Sequence, residues 1–128
     1  MEKSERSVMP YTYYRHCKGK LYSTKDVTID KLPDKYIYKD TLIANHSETL
    51  DKCIVIVIEV NKDDHIRTDY HPMIFKNGNI VPLKGRYVLY RAENEDKKLW
   101  LRPLDNFLDY AGKNNPMNQT YKFELLQQ

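Results

Sequence analysis

The sequence predicts a mainly β fold, either a small barrel or a strongly bent antiparallel sheet, with one short helical turn near the C-terminus. Apolar residues recur in short runs with a period of two, which is the pattern of strands. Eleven Tyr stand against three Phe and one Trp, and Tyr suits half-buried pleated surfaces. A length of 128 residues fits one domain. We expect a flexible segment over residues 1–10 and a single domain over 11–128.

The first half of the chain predicts four strands. Tyr11–His16 and Lys20–Tyr22 flank a glycine, and Ser23–Asp34 is polar and predicts a surface loop. Tyr36–Ala44 alternates between apolar and polar residues. Cys53–Val60 is almost continuously β-branched, which is typical of a central strand buried on both faces.

The second half continues the same pattern. Ile66–Tyr70 and Pro72–Phe75 predict short edge strands, because a proline removes a donor from the hydrogen-bond ladder. Asn77-Gly78 is a strong hairpin signal. Arg86–Ala92 and Lys98–Arg102 predict a strand pair joined by a charged turn.

The C-terminal part contains the only helical spacing that we identify. Leu104, Phe107 and Leu108 follow an i, i+3, i+4 pattern, which predicts one or two helical turns, and Gly112 is placed to end them. Tyr121–Leu125 predicts a last strand.

Charge and composition exclude several classes of protein. Twenty-one basic and eighteen acidic side chains leave a net charge of +3, which excludes a polycation but permits a local basic groove. No glycine-rich phosphate loop and no zinc-type Cys/His spacing occur, so we expect no cofactor and no metal. Two cysteines far apart, no signal peptide and no long apolar run predict a cytoplasmic protein that does not contact a membrane.

Three blocks of sequence resemble a bacterial and phage domain family of unknown function, number sixteen-fifty-three. The blocks are Tyr14–Tyr22, His46–Thr49 with the following Ile54-Val55, and Val88–Ala92 followed by Leu99–Leu104 and Phe107. The resemblance implies an SH3-like β-barrel, in a bacterium or in the host cytoplasm if the protein is phage-encoded. The chain departs from the pattern at Cys17, where the family prefers an aromatic residue, and at two insertions, about 23–42 and 61–84.

Basic residues alternate with aromatic ones inside these blocks. Guanidinium groups bind phosphate and flat rings stack on bases, so the pattern predicts a non-catalytic module for an anionic, ring-containing ligand, either a nucleotide-like molecule or nucleic acid. On one strand Trp100 and Arg102 share a face. The alternative is that Trp100 packs at the rim of the core and Arg102 covers it. The predicted ligand-binding residues are Arg15, His16, Lys18, His46, Ser47, Glu48, Thr49, Arg91, Trp100 and Arg102.

The His46–Thr49 stretch has two further interpretations. A polar stretch between apolar strands is most often a turn whose side chains satisfy backbone groups. If the protein is an enzyme, His46 and Glu48 are the candidate catalytic residues of a small hydrolase.

A third hypothesis concerns a protein partner. Tyr36, Tyr38 and Tyr70 lie in or near the insertions, and exposed Tyr is enriched at interfaces. They predict a protein–protein interaction module. The resemblance to a family found in phages implies that such a module would be a phage-encoded inhibitor of a host defence protein. The chain would be a monomer or a homodimer.

Overall fold

The computed structural model describes residues 6–126, and in this range one sheet carries almost all of the secondary structure. A single helical turn, α1, spans Leu104–Phe107. The strands are β1 Tyr13–His16, β2 Leu21–Val27, β3 Ile37–His46, β4 Lys52–Lys62, β5 His65–Lys76, β6 Asn79–Pro82, β7 Tyr87–Ala92, β8 Leu99–Pro103 and β9 Phe123–Leu125.

The strand order is β6-β5-β4-β3-β8-β7-β2-β1-β9. Every neighbouring pair is antiparallel except β3 and β8, which run parallel. The mainly β class and the strongly bent sheet are confirmed. Bending brings the end of β2 to β5, where the Ile29 N–H donates to the Tyr70 carbonyl at 2.9 Å and the hydroxyls of Tyr11 and Tyr70 lie 2.8 Å apart.

The concave inner face of the bent sheet buries one core. Cross-strand partners lie on the same face of a sheet, so the register assigns each residue to a side. Leu89 pairs with Leu101, and Ala44 pairs with Cys53. The residues buried together on this face are Ala44, Cys53, Val55, Tyr70, Leu89 and Leu101.

A second core lies on the outer face of β1, β2, β7, β8 and β9, under α1 and the N-terminal segment. The rings of Phe107 and Phe123 stack with centroids 4.3 Å apart. Tyr14 and Tyr90 each present an edge contact to Phe107. The buried residues of this cluster are Val8, Tyr14, Val88, Tyr90, Phe107, Leu108 and Phe123.

The structure describes half of the N-terminal segment that is expected to be flexible. Residues 1–5 lie outside the described residues, but residues 6–10 pack against the sheet. The Arg6 guanidinium donates to the Leu108 carbonyl at 2.7 Å and lies over the Tyr121 ring. Val8 is buried, and the Thr24 hydroxyl donates to the Met9 carbonyl. These contacts join residues that are far apart in the sequence, so no local pattern predicts them.

The two predicted insertions consist largely of strand. β2 continues to Val27, past the point where a loop was expected. β5 is one continuous strand between β4 and β6, so the expectation of two short edge strands is wrong. Pro72 lacks only a donor, and its carbonyl still accepts the Leu83 N–H at 3.0 Å. In β4, Val55 and Ile58 are fully buried although they face opposite sides, whereas Ile54 is only partly buried.

Within residues 6–126 the structure contains no helix of the length and apolar character needed to cross a bilayer.

The stacked pair in the outer core yields a stability prediction. Phe123→Ala should lower the free energy of unfolding by about 3–5 kcal/mol, because it removes a fully buried ring that contacts Phe107 and Tyr90. Phe75→Ala is the matched control, since Phe75 lies on a strand with 66% of its surface exposed. Its effect should stay within about 0.5 kcal/mol. Urea denaturation measures both, and equal losses would contradict the assignment of the core.

Candidate functional site

The register divides the predicted ligand-binding residues between the two faces of the sheet. Trp100 pairs with Tyr90 and His16 with Phe123, which places Trp100 and His16 on the outer face. Arg102, two residues after Trp100, shares that face. Arg15 and Arg91 project from the opposite face of their strands, because their cross-strand partners are Leu21 and Leu99. His46 pairs with Leu101 on the inner face. The ten residues therefore do not meet in one concavity.

The two inner-face arginines are held by neighbouring polar groups. The Arg15 Nε donates to the Gln119 side-chain oxygen at 2.8 Å. The Arg91 Nε contacts Glu93 at 3.3 Å, and the same carboxylate accepts the Ser23 hydroxyl at 2.7 Å. Both hydrogen bonds lower the pKa of Glu93, the one from Ser23 more strongly. These contacts account for Arg15 and Arg91 within the fold.

Cations surround His16 on the outer face. The ring packs edge-on against Phe123, and its Nδ1 accepts the Lys18 N–H at 3.1 Å. Burial and four positive charges together lower the pKa of His16 from 6.5 to about 4. Burial contributes most, followed by the charges of Arg102, Lys18, Lys122 and Lys20 in that order. His16 is therefore neutral at pH 7, and the positive charge beside it comes from these four cations.

Arg102 is fixed in place by the outer core. Its Nε donates to the Tyr90 hydroxyl at 2.9 Å and its Nη1 to Asn106 at 2.6 Å. The guanidinium lies 5.1 Å from the centre of the Phe123 ring. Arg102 therefore covers the rim of the core, as one of the two interpretations of the sequence expects, and this is part of its role. Its charge still acts on the surface, since it helps to lower the pKa of His16. Burial raises the pKa of Tyr22, and the charge of Arg102 opposes that rise.

Two small neighbouring cavities open beside Trp100 and Tyr22. The first encloses about 160 Å³, and its lining is Lys20, Tyr22, Ala92, Asn94, Asp96, Lys98 and Trp100. The second encloses about 180 Å³, and its lining is Lys20, Leu21, Tyr22, Ala92, Glu93 and Asn94. Ammonium groups and partly exposed aromatic rings thus meet at the edge of the outer core.

The His46–Thr49 stretch forms a turn. The buried His46 ring accepts the N–H groups of Glu48 and Thr49 through Nδ1, at 3.1 and 3.3 Å. A neutral ring with this pattern carries its proton on Nε2. Glu48 thus approaches His46 through its backbone, while its side chain is exposed. Ser47 donates its N–H to Leu101 and keeps a buried hydroxyl that no protein group satisfies. The turn interpretation explains these contacts without a reaction.

The three candidate tyrosines for a partner do not share an environment. Tyr36 and Tyr38 are exposed, and the Tyr38 hydroxyl contacts the Thr41 hydroxyl at 2.6 Å. Tyr70 is buried in β5 at 5% exposure, so the expectation of an exposed loop is wrong there. Burial raises the pKa of Tyr70, and the hydrogen bond with Tyr11 raises it further.

Sequence reasoning missed three lysines of this surface. Lys98 lies two residues before Trp100 and Lys20 two before Tyr22, so strand alternation alone predicts that each pair shares a face. Lys122 lies immediately before β9, and only the long-range pairing of β9 with β1 brings it to His16. No local signal reveals that contact.

Comparison with known proteins gives no relative. The sequence matches no family model, and neither a curated protein nor a solved structure is significantly similar to it. The family resemblance stays an expectation.

The cations around His16 predict an unusual titration. In the folded protein His16 should protonate near pH 4, whereas in the unfolded chain it protonates near its ordinary value of 6.5. Folding therefore releases a proton between these values, so His16 contributes stability that is complete above about pH 6.5 and is lost as the pH falls toward 4.

The titration is followed by NMR of the His16 ring. Lys122→Gln should raise the pKa of His16, because it removes one of the four cations. A His16 pKa near 6.5 in the unmodified protein would contradict both the burial of the ring and the cations beside it. An unchanged His16 pKa in Lys122→Gln would contradict the contribution of Lys122.

Proposed function

We propose that this protein is a non-catalytic binding module for an anionic, ring-containing ligand, either a nucleotide-like molecule or nucleic acid. The ligand binds on the outer face, at a surface that we call the basic face. It consists of His16, Lys18, Lys20, Tyr22, Lys98, Trp100, Arg102 and Lys122. The observation that carries the proposal is the group of four cations around the neutral His16.

The chemistry of the basic face suits both parts of such a ligand. Ammonium groups attract phosphate as mobile point charges. The rings of Tyr22 and Trp100 border the same cavity as Lys20 and Lys98. Aromatic faces next to cations allow a base to stack while its phosphate is held nearby.

The proposed ligand-binding residues differ in part from those expected from the sequence. His16, Lys18, Trp100 and Arg102 belong to it. Arg15 and Arg91 are held on the opposite side of the sheet, and the His46–Thr49 turn lies at the rim of the inner face. Three further lysines, Lys20, Lys98 and Lys122, take their place.

A second candidate function is protein–protein interaction through the outer face of β3–β6. Ile43, Phe75 and Ile80 are exposed there at 57%, 66% and 48%. Pairing of Ile43 with Ile54 and of Phe75 with Ile80 places these residues on one side of the sheet. Lys52 lies on the same side, so the partner would present an apolar surface with acidic residues beside it.

The main proposal predicts a charge-dependent loss of binding. The double variant Lys20→Gln/Lys98→Gln should weaken binding of a fluorescently labelled 12-nucleotide oligothymidylate at least tenfold, because two phosphate contacts are lost. The dependence of log affinity on log salt concentration should fall by about 1.4, or about 0.7 for each contact. Fluorescence anisotropy at several salt concentrations measures both effects.

The matched control removes the same charge elsewhere. Lys31→Gln/Lys35→Gln changes two exposed lysines in the segment before β3 and should leave the affinity within twofold. Equal losses in the two double variants would mean that only net charge matters, and the basic face would then not be the site.

The second candidate predicts a separate loss. Phe75→Ser should abolish capture of a protein partner from bacterial lysate without a change in melting temperature, because Phe75 is exposed. Lys20→Gln/Lys98→Gln should still capture that partner. A partner that both variants retain would contradict this second candidate.

A further inference from the structure

We infer that the ligand of the basic face is single-stranded nucleic acid, rather than a free nucleotide or a duplex. This inference rests on the proposed function and narrows it to one class of ligand. Three properties of the outer face support it: the size of the cavities, the line along which the cations lie, and the position of the aromatic rings.

The cavities are too small to enclose a whole nucleotide. They measure about 160 and 180 Å³, whereas pockets that enclose small molecules usually measure about 300–1,000 Å³. Both are lined by Lys20, Tyr22, Ala92 and Asn94, so they are neighbours on one surface. Each has room for one ring or one phosphate. Neighbouring small sites suit a ligand that repeats the same units along its length.

The cations follow a line across the strands. Lys122 immediately precedes β9, Lys20 precedes β2, Lys98 precedes β8, and Lys52 begins β4. Backbone pairing shows that these strand ends lie at the same edge of the sheet. The Ala92 N–H donates to the Lys98 carbonyl, and Asn45 pairs with both Trp100 and Lys52. β9 and β4 are six strand spacings apart, so the line is about 29 Å long when it is followed along the bent sheet at about 4.8 Å per spacing. A single phosphate group cannot contact cations spread over this distance.

The aromatic rings lie within that line and are oriented by the core. Tyr22 meets Tyr90 and Phe123 by its edge, at 5.2 and 5.7 Å, which fixes the plane of its ring. Trp100 is partly exposed in the neighbouring cavity. A base can stack on such rings only when its face is free, which is the case in a single strand and not inside a duplex.

The acidic residue near Trp100 is consistent with a base at that position. Asp96 lines the same cavity as Trp100 and Asn94. A carboxylate repels phosphate but accepts hydrogen bonds from base donors, either an amino group or the ring N3–H of thymine. We therefore place a base beside Trp100 and Asp96, and the phosphates along Lys20, Lys98 and Lys52.

Trp100 makes the test direct, because it is the only tryptophan of the chain. Its fluorescence is titrated with a 12-nucleotide oligothymidylate, a 12-base-pair duplex, ATP and heparin, each at low salt. The oligothymidylate should quench Trp100 and bind at least tenfold more tightly than ATP or the duplex. Heparin should compete with it without quenching, since heparin carries charge but no bases.

A substitution at the β4 end of the line of cations tests whether the ligand is extended. Lys52→Gln should weaken binding of the oligothymidylate about two- to fivefold and leave binding of ATP unchanged, because only an extended ligand reaches β4. Lys76→Gln changes an exposed lysine at the end of β5 and should have no effect on either ligand.

The outcomes separate this inference from the proposed function. If ATP binds as tightly as the oligothymidylate and loses affinity in Lys20→Gln/Lys98→Gln, the basic face is a nucleotide site and the single-strand inference is wrong. Duplex binding equal to that of the single strand would overturn the stacking argument. If none of the four probes binds, both the inference and the proposed function fail.

Discussion

The pairing of β7 with β8, buried on both faces, is the constraint on which the rest of the structure depends. Alternate residues of this pair enter two different cores: Leu89 and Leu101 pack in the inner core, whereas Val88 and Tyr90 pack in the outer one. The sheet must bend to close the inner core, and α1 with the N-terminal segment must cover the outer one. Both arrangements depend on the register between β7 and β8. A shift of one residue in this register would move each set of side chains to the opposite face of the sheet.

The basic face follows from that arrangement. The outer core covers the middle of β1, β2, β7 and β8, so side chains near the strand ends reach its edge and become exposed. Lys20 and Lys98 occupy such positions, and Trp100 packs partly on the core and partly faces solvent. Two carboxylates, Asp96 and Glu93, line the cavities beside these lysines. The Glu93 carboxylate is bound to Arg91 and Ser23, and Asp69, on β5, is bound to Arg67. The net charge of +3 is therefore an average over regions of the surface that differ in charge.

Local patterns in the sequence predicted the strands but not their neighbours. Alternation correctly placed Trp100 and Arg102 on one face, because strand periodicity depends only on the backbone. It could not show that β9 pairs with β1 or that β8 runs parallel to β3, since these contacts join distant segments. The burial of Tyr70 and the packing of Val8 depend on the same long-range contacts. Lys122 could not be found in this way, because it reaches His16 only through the pairing of β9 with β1. Lys20 and Lys98 could have been found, because strand alternation places them on the face of Tyr22 and Trp100.

The most direct measurement of the central claim is backbone ¹⁵N–¹H chemical-shift mapping of the protein with oligothymidylate. Binding at the basic face predicts that shifts concentrate in the turn between β1 and β2, around Lys98–Arg102 and near Lys122, which border the basic face. No comparable shifts are expected in the turn after His46 or at the side-chain Nε–H groups of the inner-face residues Arg15 and Arg91. Shifts centred on those residues, or none at saturating oligothymidylate, would contradict the claim that the basic face binds an anionic ligand.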